Sequence, residues 1–255
     1  MSVNFDDFEV FFLILVRISG FMFTAPFFSL RNVPIRVKTG LAIFITFILV
    51  FTIPSEPLEY IGVIGFGILV VEEAIIGVVI GFFANIAHYI INFAGKFIDM
   101  EIGFSMVNQL DPTTSIQSTI TANLYSYLVI LLMMVTNLHH YFLKAIVDTF
   151  QVIPVGQVNI NPMIYQLMVR FMSEYLIIGF RIVLPIFGAI LLVNAILGIL
   201  AKIAPQMNMF VIGMQLKLLV GLFVLTLVIE LIPSVADFIF NEMIEMIKSS
   251  IEFFK

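Results

Sequence analysis

Long runs of the chain carry no formal charge, among them 112–143, between Asp111 and Lys144, and 182–201, between Arg181 and Lys202. Each is about twenty residues or longer, the length a helix needs to cross the hydrocarbon core of a bilayer. Inside that core no water reaches the backbone N–H and C=O groups, so such a run folds as a helix or stays buried in protein. The other residues point the same way. Of 255 residues, 61% are hydrophobic and 11% charged, whereas soluble domains are about one-quarter charged. The sequence therefore predicts an all-α, polytopic integral membrane protein with roughly six spans and no soluble domain.

Composition also excludes whole classes of function. With no cysteine there are no disulfides, thiolate metal sites or cysteine nucleophiles. The net charge of −5 comes without a basic cluster able to neutralise several phosphates, so nucleic acid is not expected as a partner. His139-His140 invites a metal reading, but adjacent residues on a helix point in different directions and no HExxH pattern occurs. No serine sits in a GxSxG context, and three histidines are all the chain has to offer as bases. Neither a catalytic site nor a cofactor is expected. The start, "MSVNFDDFEV", is acidic rather than basic, and reads as leading into a retained first span.

Six apolar segments can be counted, at 10–30, 37–54, 60–95, 120–138, 174–201 and 209–233. The third is too long for one simple span. Its interruption is expected at Glu72-Glu73, with a tilt or bend near Gly62, Gly65 and Gly67. The stretch 141–155, containing Pro154, is too short to span and reads as re-entrant or interfacial. Arg31, Arg36 and Lys38 make the first loop cytoplasmic, and Lys96, Lys202 and Lys217 fall on the same side. Six spans then put both termini outside. In the tail, Ile239, Met243, Met246, Ile247 and Phe254 share one helical face, while Asn241, Glu245, Lys248 and Glu252 share another. That pattern predicts an amphipathic helix against protein or membrane surface.

Three polar features need explaining in so apolar a chain. Glu73, Gly77, Gly81, Asn85, His88, Asn92, Lys96 and Asp99 recur at spacings of three or four, a single stripe if the helix is continuous. Hydrocarbon cannot satisfy Asn, His or Lys, so the stripe faces protein or water. Gly77 and Gly81 form a GxxxG pair that permits close helix approach. A packing seam within the chain, a seam against other subunits or a pore, and an ion relay all remain open. Arg170, Glu174 and Arg181 form a second set at helical spacing. An arginine in an apolar run costs about 2.5–3.5 kcal/mol even on the mildest scale, so Glu174 is expected to pair with these arginines. The third feature is "GFSMVNQLDPTTSIQST" at 103–119, the longest markedly polar stretch in the interior.

Several strings resemble one family. "RIVLPIFGAILLVNAILGILAKIAPQMNMFVIGMQLKLLVGL" is similar to the C-terminal half of FliR, the flagellar biosynthetic protein of the type III export gate. Arg181, Pro185, Asn194, Gly198, Pro205, Met207, Asn208, Gly213, Lys217 and Gly221 carry that match. "FIDMEIGFSM" with Asp111-Pro112, "NLHHYFLKAIVDTFQVIPVG" and "RISGFMFTAPFFSLRNVPIRVKTGLA" resemble its other blocks, in the family's order. Leu138, and Met214-Gln215 before Lys217, depart from the usual pattern. The resemblance implies a hetero-oligomeric gate with FliP-, FliQ- and FlhB-like subunits in a bacterial inner membrane, at the flagellar basal body. Unfolded exported proteins would pass through its channel. It implies a FliP-like part at 1–165, with a central loop at 103–120, and a FliQ-like hairpin plus amphipathic helix at 166–255. The hairpin residues would be Arg181, Pro185, Asn194, Pro205, Met207, Asn208 and Lys217. In this family the central loop plugs the pore, which would give that role to Gly103, Phe104, Met106, Val107, Asn108, Leu110, Asp111 and Pro112. An injectisome homologue of the same gate is the nearest rival reading. A small-solute secondary transporter is a more distant one, since it calls for inverted repeats that are not visible.

Overall fold

In the computed structural model, residues 5–30, 32–53, 57–58, 60–104, 119–159 and 161–254 are described, and all regular structure among them is helical. The helices are α1 (Phe5–Thr24), α2 (Ile35–Val50), α3 (Gly62–Ala84), α4 (Ile86–Ile102), α5 (Ile120–Val135), α6 (Leu138–Val152), α7 (Ile164–Ile203), α8 (Met209–Val228) and α9 (Ile232–Glu252). A 3₁₀ turn, Ile229–Leu231, joins the last two. Three described helical stretches are long and apolar enough to cross a membrane: α3, α7 and the α8–α9 run. The bent pair α5–α6 makes a fourth if it is one broken span. This is fewer than the six apolar segments. The reason is local: α2 has 16 residues, and α1 carries Asp6, Asp7, Glu9 and Arg17 within its 20.

The third segment divides at Asn85, not at Glu72-Glu73. The Asn85 N–H turns back onto the Gly81, Phe82 and Phe83 carbonyls and closes α3. Gly62, at φ 66°, starts the helix rather than bending it. Residues 141–155 fall mostly within α6. It follows α5 across Asn137, which takes a left-handed φ of 57°.

The chain forms two compact units. The first comprises Met1–Ile86, Met133–Phe171 and Phe240–Lys255. In it α1 packs on α2 and α3, burying Leu13, Ile14, Ile18 and Phe21 along with Ile76, Ile80 and Phe83 of α3. Glycines set how close α1 and α3 come. A Cβ on Gly77 would lie 2.0 Å from the Arg17 carbonyl oxygen, and one on Gly81 would lie 2.0 Å from Thr24 Oγ1. The tail helix has the amphipathic form expected of it: Ile239, Met243, Met246, Ile247 and Phe254 are buried, while Asn241, Glu245, Lys248 and Glu252 are exposed.

The second unit comprises Ala87–Leu132 and Met172–Ile239. Here α4 is the common element. Gly95 lets α5 approach, since a Cβ there would fall 2.3 Å from the Ala122 Cα. Phe93 fills the space over Gly179 of α7, and Ile102 fills the space over Gly221 of α8. The α7–α8 turn follows from its sequence. Asn208 caps α8, its Oδ1 accepting from the Phe210 and Val211 N–H groups at 3.2 and 3.4 Å. Along the hairpin Leu192, Ile199, Ile203, Leu219 and Phe223 are left exposed.

Candidate functional site

The most completely built polar cluster lies inside the first unit and centres on Arg17 and Glu73, both fully buried. Arg17 Nε and Nη2 donate to the two Glu73 carboxylate oxygens at 2.5 and 3.0 Å, a bidentate pair joining α1 to α3. Arg17 Nη1 donates to Thr149 Oγ1 (3.3 Å) and to the Ile153 carbonyl (3.1 Å). The guanidinium also sits 4.2 Å from the Phe150 ring centroid. Glu73 Oε1 accepts from the Gly156 N–H at 3.0 Å. Thus one buried pair ties α1, α3, α6 and the turn after α6 together. Fork geometry and full hydrogen bonding are what make such a pair tolerable away from water. The sequence offered a signal for it, since Arg17 is the one formal charge in the run 10–30.

The rest of the stripe divides accordingly. Gly77 and Gly81 face α1 within the chain. Asn85 ends α3 and is buried. On α4, His88 and Asn92 are half-buried, with Asn92 Nδ2 donating to the His88 carbonyl at 2.7 Å, and Lys96 is exposed.

Asp99, the last member of the stripe, has a separate task in the second unit. Its carboxylate accepts from the Thr121 N–H (3.1 and 3.3 Å) and from Thr121 Oγ1 (2.5 Å). It thereby caps α5 from α4, and α4 ends at Gly103, at φ 99°, one turn later. Burial pushes the Asp99 carboxyl above its usual range, and the hydrogen bonds from Thr121 oppose that shift. The polar stretch thus leaves α4 and enters α5 at a single tied point. Gly103 and Phe104 are described; Met106, Val107, Asn108, Leu110, Asp111 and Pro112 lie outside the described residues.

The hairpin residues separate into three places. Pro205, Met207 and Asn208 form the α7–α8 turn, where the Met207 N–H donates to the Ala204 carbonyl at 3.1 Å. Asn194 and Lys217 line a cleft of about 440 Å³ together with Glu101 and Gly103 at the end of α4. Arg181 and Pro185 lie further along α7, beside a smaller pocket lined by Tyr125 and Ile232.

The expected pairing of Glu174 with Arg181 is not formed. Arg181 is exposed and makes no hydrogen bond or ion pair with any described residue. Seven residues of helix separate the two by about 10 Å along the axis, beyond a close contact. Arg170 meets Glu245 of α9 at 3.0 Å, on the surface of the first unit. The adjacent His139 and His140 rings lie 4.1 Å apart, with His139 also against Phe27.

Residues 8–243 match the model of a family described as bacterial export proteins, family 1. The flagellar biosynthetic protein FliR of Bacillus subtilis (strain 168) is 32% identical over 252 residues, covering 98% of this chain and 97% of that protein. FliR of Escherichia coli (strain K12) is 31% identical over 241 residues, covering 94% and 91%. FliR of Pectobacterium carotovorum is 30% identical over 237 residues, covering 93% and 90%.

Proposed function

The chain belongs to the family of bacterial export proteins, family 1, and from that membership we propose that it is a structural subunit of the flagellar protein export gate. The match over residues 8–243 carries this reading, and relatives named as flagellar biosynthetic proteins align across almost their whole length. Those names favour the flagellar system over the injectisome one. In this reading the chain assembles with FliP-, FliQ- and FlhB-like subunits around a channel for unfolded proteins. The gate sits in the inner membrane at the basal body, and no residue of this chain acts as a catalyst.

Two observations fit an assembling subunit. The α7–α8 hairpin exposes large apolar side chains around most of its circumference, a surface that lipid or a neighbouring subunit must cover. His88, Asn92 and Lys96, left partly uncovered on α4, are the part of the stripe assigned here to a subunit contact or pore. The stretch 103–120 is assigned to the plug. Polar chain at membrane depth is tolerable where it is buried in protein or lines water, and opening a loop disrupts few buried contacts. Tying its two ends through Asp99 and Thr121 would hold such a plug in register.

The test is co-purification of the tagged full-length chain in mild detergent, with and without a Ser105–Ser115 deletion. FliP- and FliQ-like proteins should co-elute with both forms. In planar bilayers the deleted complex should conduct small ions that the intact one blocks. Elution of the chain alone, with thermal stability equal to that of any complex, overturns the gate reading. A deleted complex that assembles and stays tight removes the plug.

A further inference from the structure

Arg181 poses a problem that the pairing within the chain does not solve. It lies in a helix of 40 residues, exposed and without an ion pair among the described residues, next to twenty residues with no charge. Those twenty residues rise about 30 Å, one hydrocarbon thickness, before Lys202. If Lys202 marks one headgroup level, Arg181 marks the other. A second discontinuity falls at this height: Pro185 supplies no N–H to the Arg181 carbonyl one turn back. A third is the 3₁₀ turn between α8 and α9, whose neighbours Val228 and Ile232 line the same pocket.

The pocket beside Arg181, about 80 Å³, is otherwise apolar, with Ile91, Val129 and Leu231 among its walls. Its one other polar wall residue is Tyr125, which is 3% exposed, and the Tyr125 Oη is buried without a hydrogen-bond partner. A buried hydroxyl lacking a partner needs an acceptor. Glu230, in the turn between α8 and α9, is exposed and makes no ion pair with Arg181 among the described residues.

We propose that this pocket is a phospholipid-binding site: the Arg181 guanidinium holds the phosphate, Tyr125 Oη donates to a phosphate or ester oxygen, and an acyl chain lies along the apolar wall. Arginine suits a phosphate through its fork of donors. A carboxylate from a partner subunit is the competing occupant. The lipid is favoured because about one hydrocarbon thickness of uncharged helix separates Arg181 from Lys202 and the remaining wall is apolar. The site does not depend on the export reading, because lipid binding is read without secretion.

The experiment is native mass spectrometry of the full-length chain, with whatever co-purifies, delipidated and titrated with dioleoylphosphatidylethanolamine. Wild type should retain one tightly held lipid. Arg181→Ala should weaken that binding at least about tenfold, and Tyr125→Phe about threefold, the losses expected of a charged and a neutral hydrogen bond. Arg181→Lys, which keeps the charge and loses the fork, should weaken binding less than Arg181→Ala. Tyr125→Phe conserves the wall, so its effect is readable even if Arg181→Ala folds poorly. Inorganic phosphate at millimolar concentration should not displace the lipid. Unchanged lipid binding in both variants, displacement by inorganic phosphate, or loss of co-purifying subunits with the lipid count intact would each overturn the proposal.

Discussion

Removing Arg17 should hurt the protein more than removing Glu73, although the two form one pair. In Arg17→Ala the Glu73 carboxylate stays fully buried and keeps one donor, the Gly156 N–H. In Glu73→Ala the guanidinium keeps Thr149 Oγ1, the Ile153 carbonyl and the Phe150 face. Breaking a buried pair by deleting one partner costs about 3–5 kcal/mol. Arg17→Ala belongs at the top of that range and Glu73→Ala at or below its bottom. The double replacement Arg17→Leu with Glu73→Leu should recover much of the loss, because it leaves no uncompensated charge. Arg17→Lys should not rescue, since an ammonium cannot supply the two parallel bonds to the carboxylate. Thermal unfolding of wild type, Arg17→Leu, Glu73→Leu and the Leu/Leu double variant, as purified chain or complex in detergent, gives the four corners of the cycle. Additive single effects, or an Arg17→Ala midpoint equal to wild type, would show that the pair holds nothing together.

Two further perturbations read other parts of the fold. Gly77→Ala places a Cβ on the Arg17 backbone carbonyl, which cannot swing aside as a side-chain tip can, so α1 and α3 must separate at a cost of about 1–3 kcal/mol or more. Gly67→Ala, with nothing within 4 Å, should be neutral or stabilising by up to about 1 kcal/mol; equal midpoints for the two variants would refute the seam. Asp99 gives a pH signature. Its folded carboxyl is raised by burial, so between the ordinary value of 3.8 and the raised one the folded state binds more protons and stability falls as pH rises. Above that window the effect is flat, and Asp99→Asn should remove the slope. A midpoint that climbs with pH through the same window in wild type but not in Asp99→Asn would reverse the assignment.

Elements that depend on local sequence were legible. The tail helix was predicted face by face, because its apolar positions recur at the helical period and nothing distant decides them. The family resemblance placed the hairpin around Pro205 to Asn208, and the structure adds a local reason for the α7–α8 turn, since Asn208 caps α8. What failed depended on tertiary partners. Glu72-Glu73 looked like an interruption because two carboxylates in an apolar run are costly. The cost disappears for Glu73 once Arg17 arrives from 56 residues away, and α3 runs straight through. The same kind of partner governs Asp99, whose role as cap for α5 needs Thr121 at a separation of 22 residues.

The pairing rule used on Arg170, Glu174 and Arg181 was sound as physics but searched only along one helix. Spacing shows which residues are neighbours within a helix; it does not show which helix lies opposite. Two signals taken together narrow that choice. Gly77 lies one turn from Glu73 on the same face, so whichever helix enters the GxxxG groove also passes the carboxylate. That helix must then carry a cation close to the crossing. In the preceding run 10–30, Arg17 meets this condition, and Gly20, three residues on, again leaves room for close approach: a Cβ there would lie 3.0 Å from the Ala74 carbonyl oxygen. A buried charge states that a partner exists, and the small residues beside it state where the partner's backbone must pass. Beside Arg181 no backbone passes over a glycine in this way: Gly179 is covered by the Phe93 side chain, and Gly188, two turns on, has nothing within 4 Å. The surroundings of Arg181 are an open apolar pocket, so the demand of its charge is directed out of the fold rather than into it.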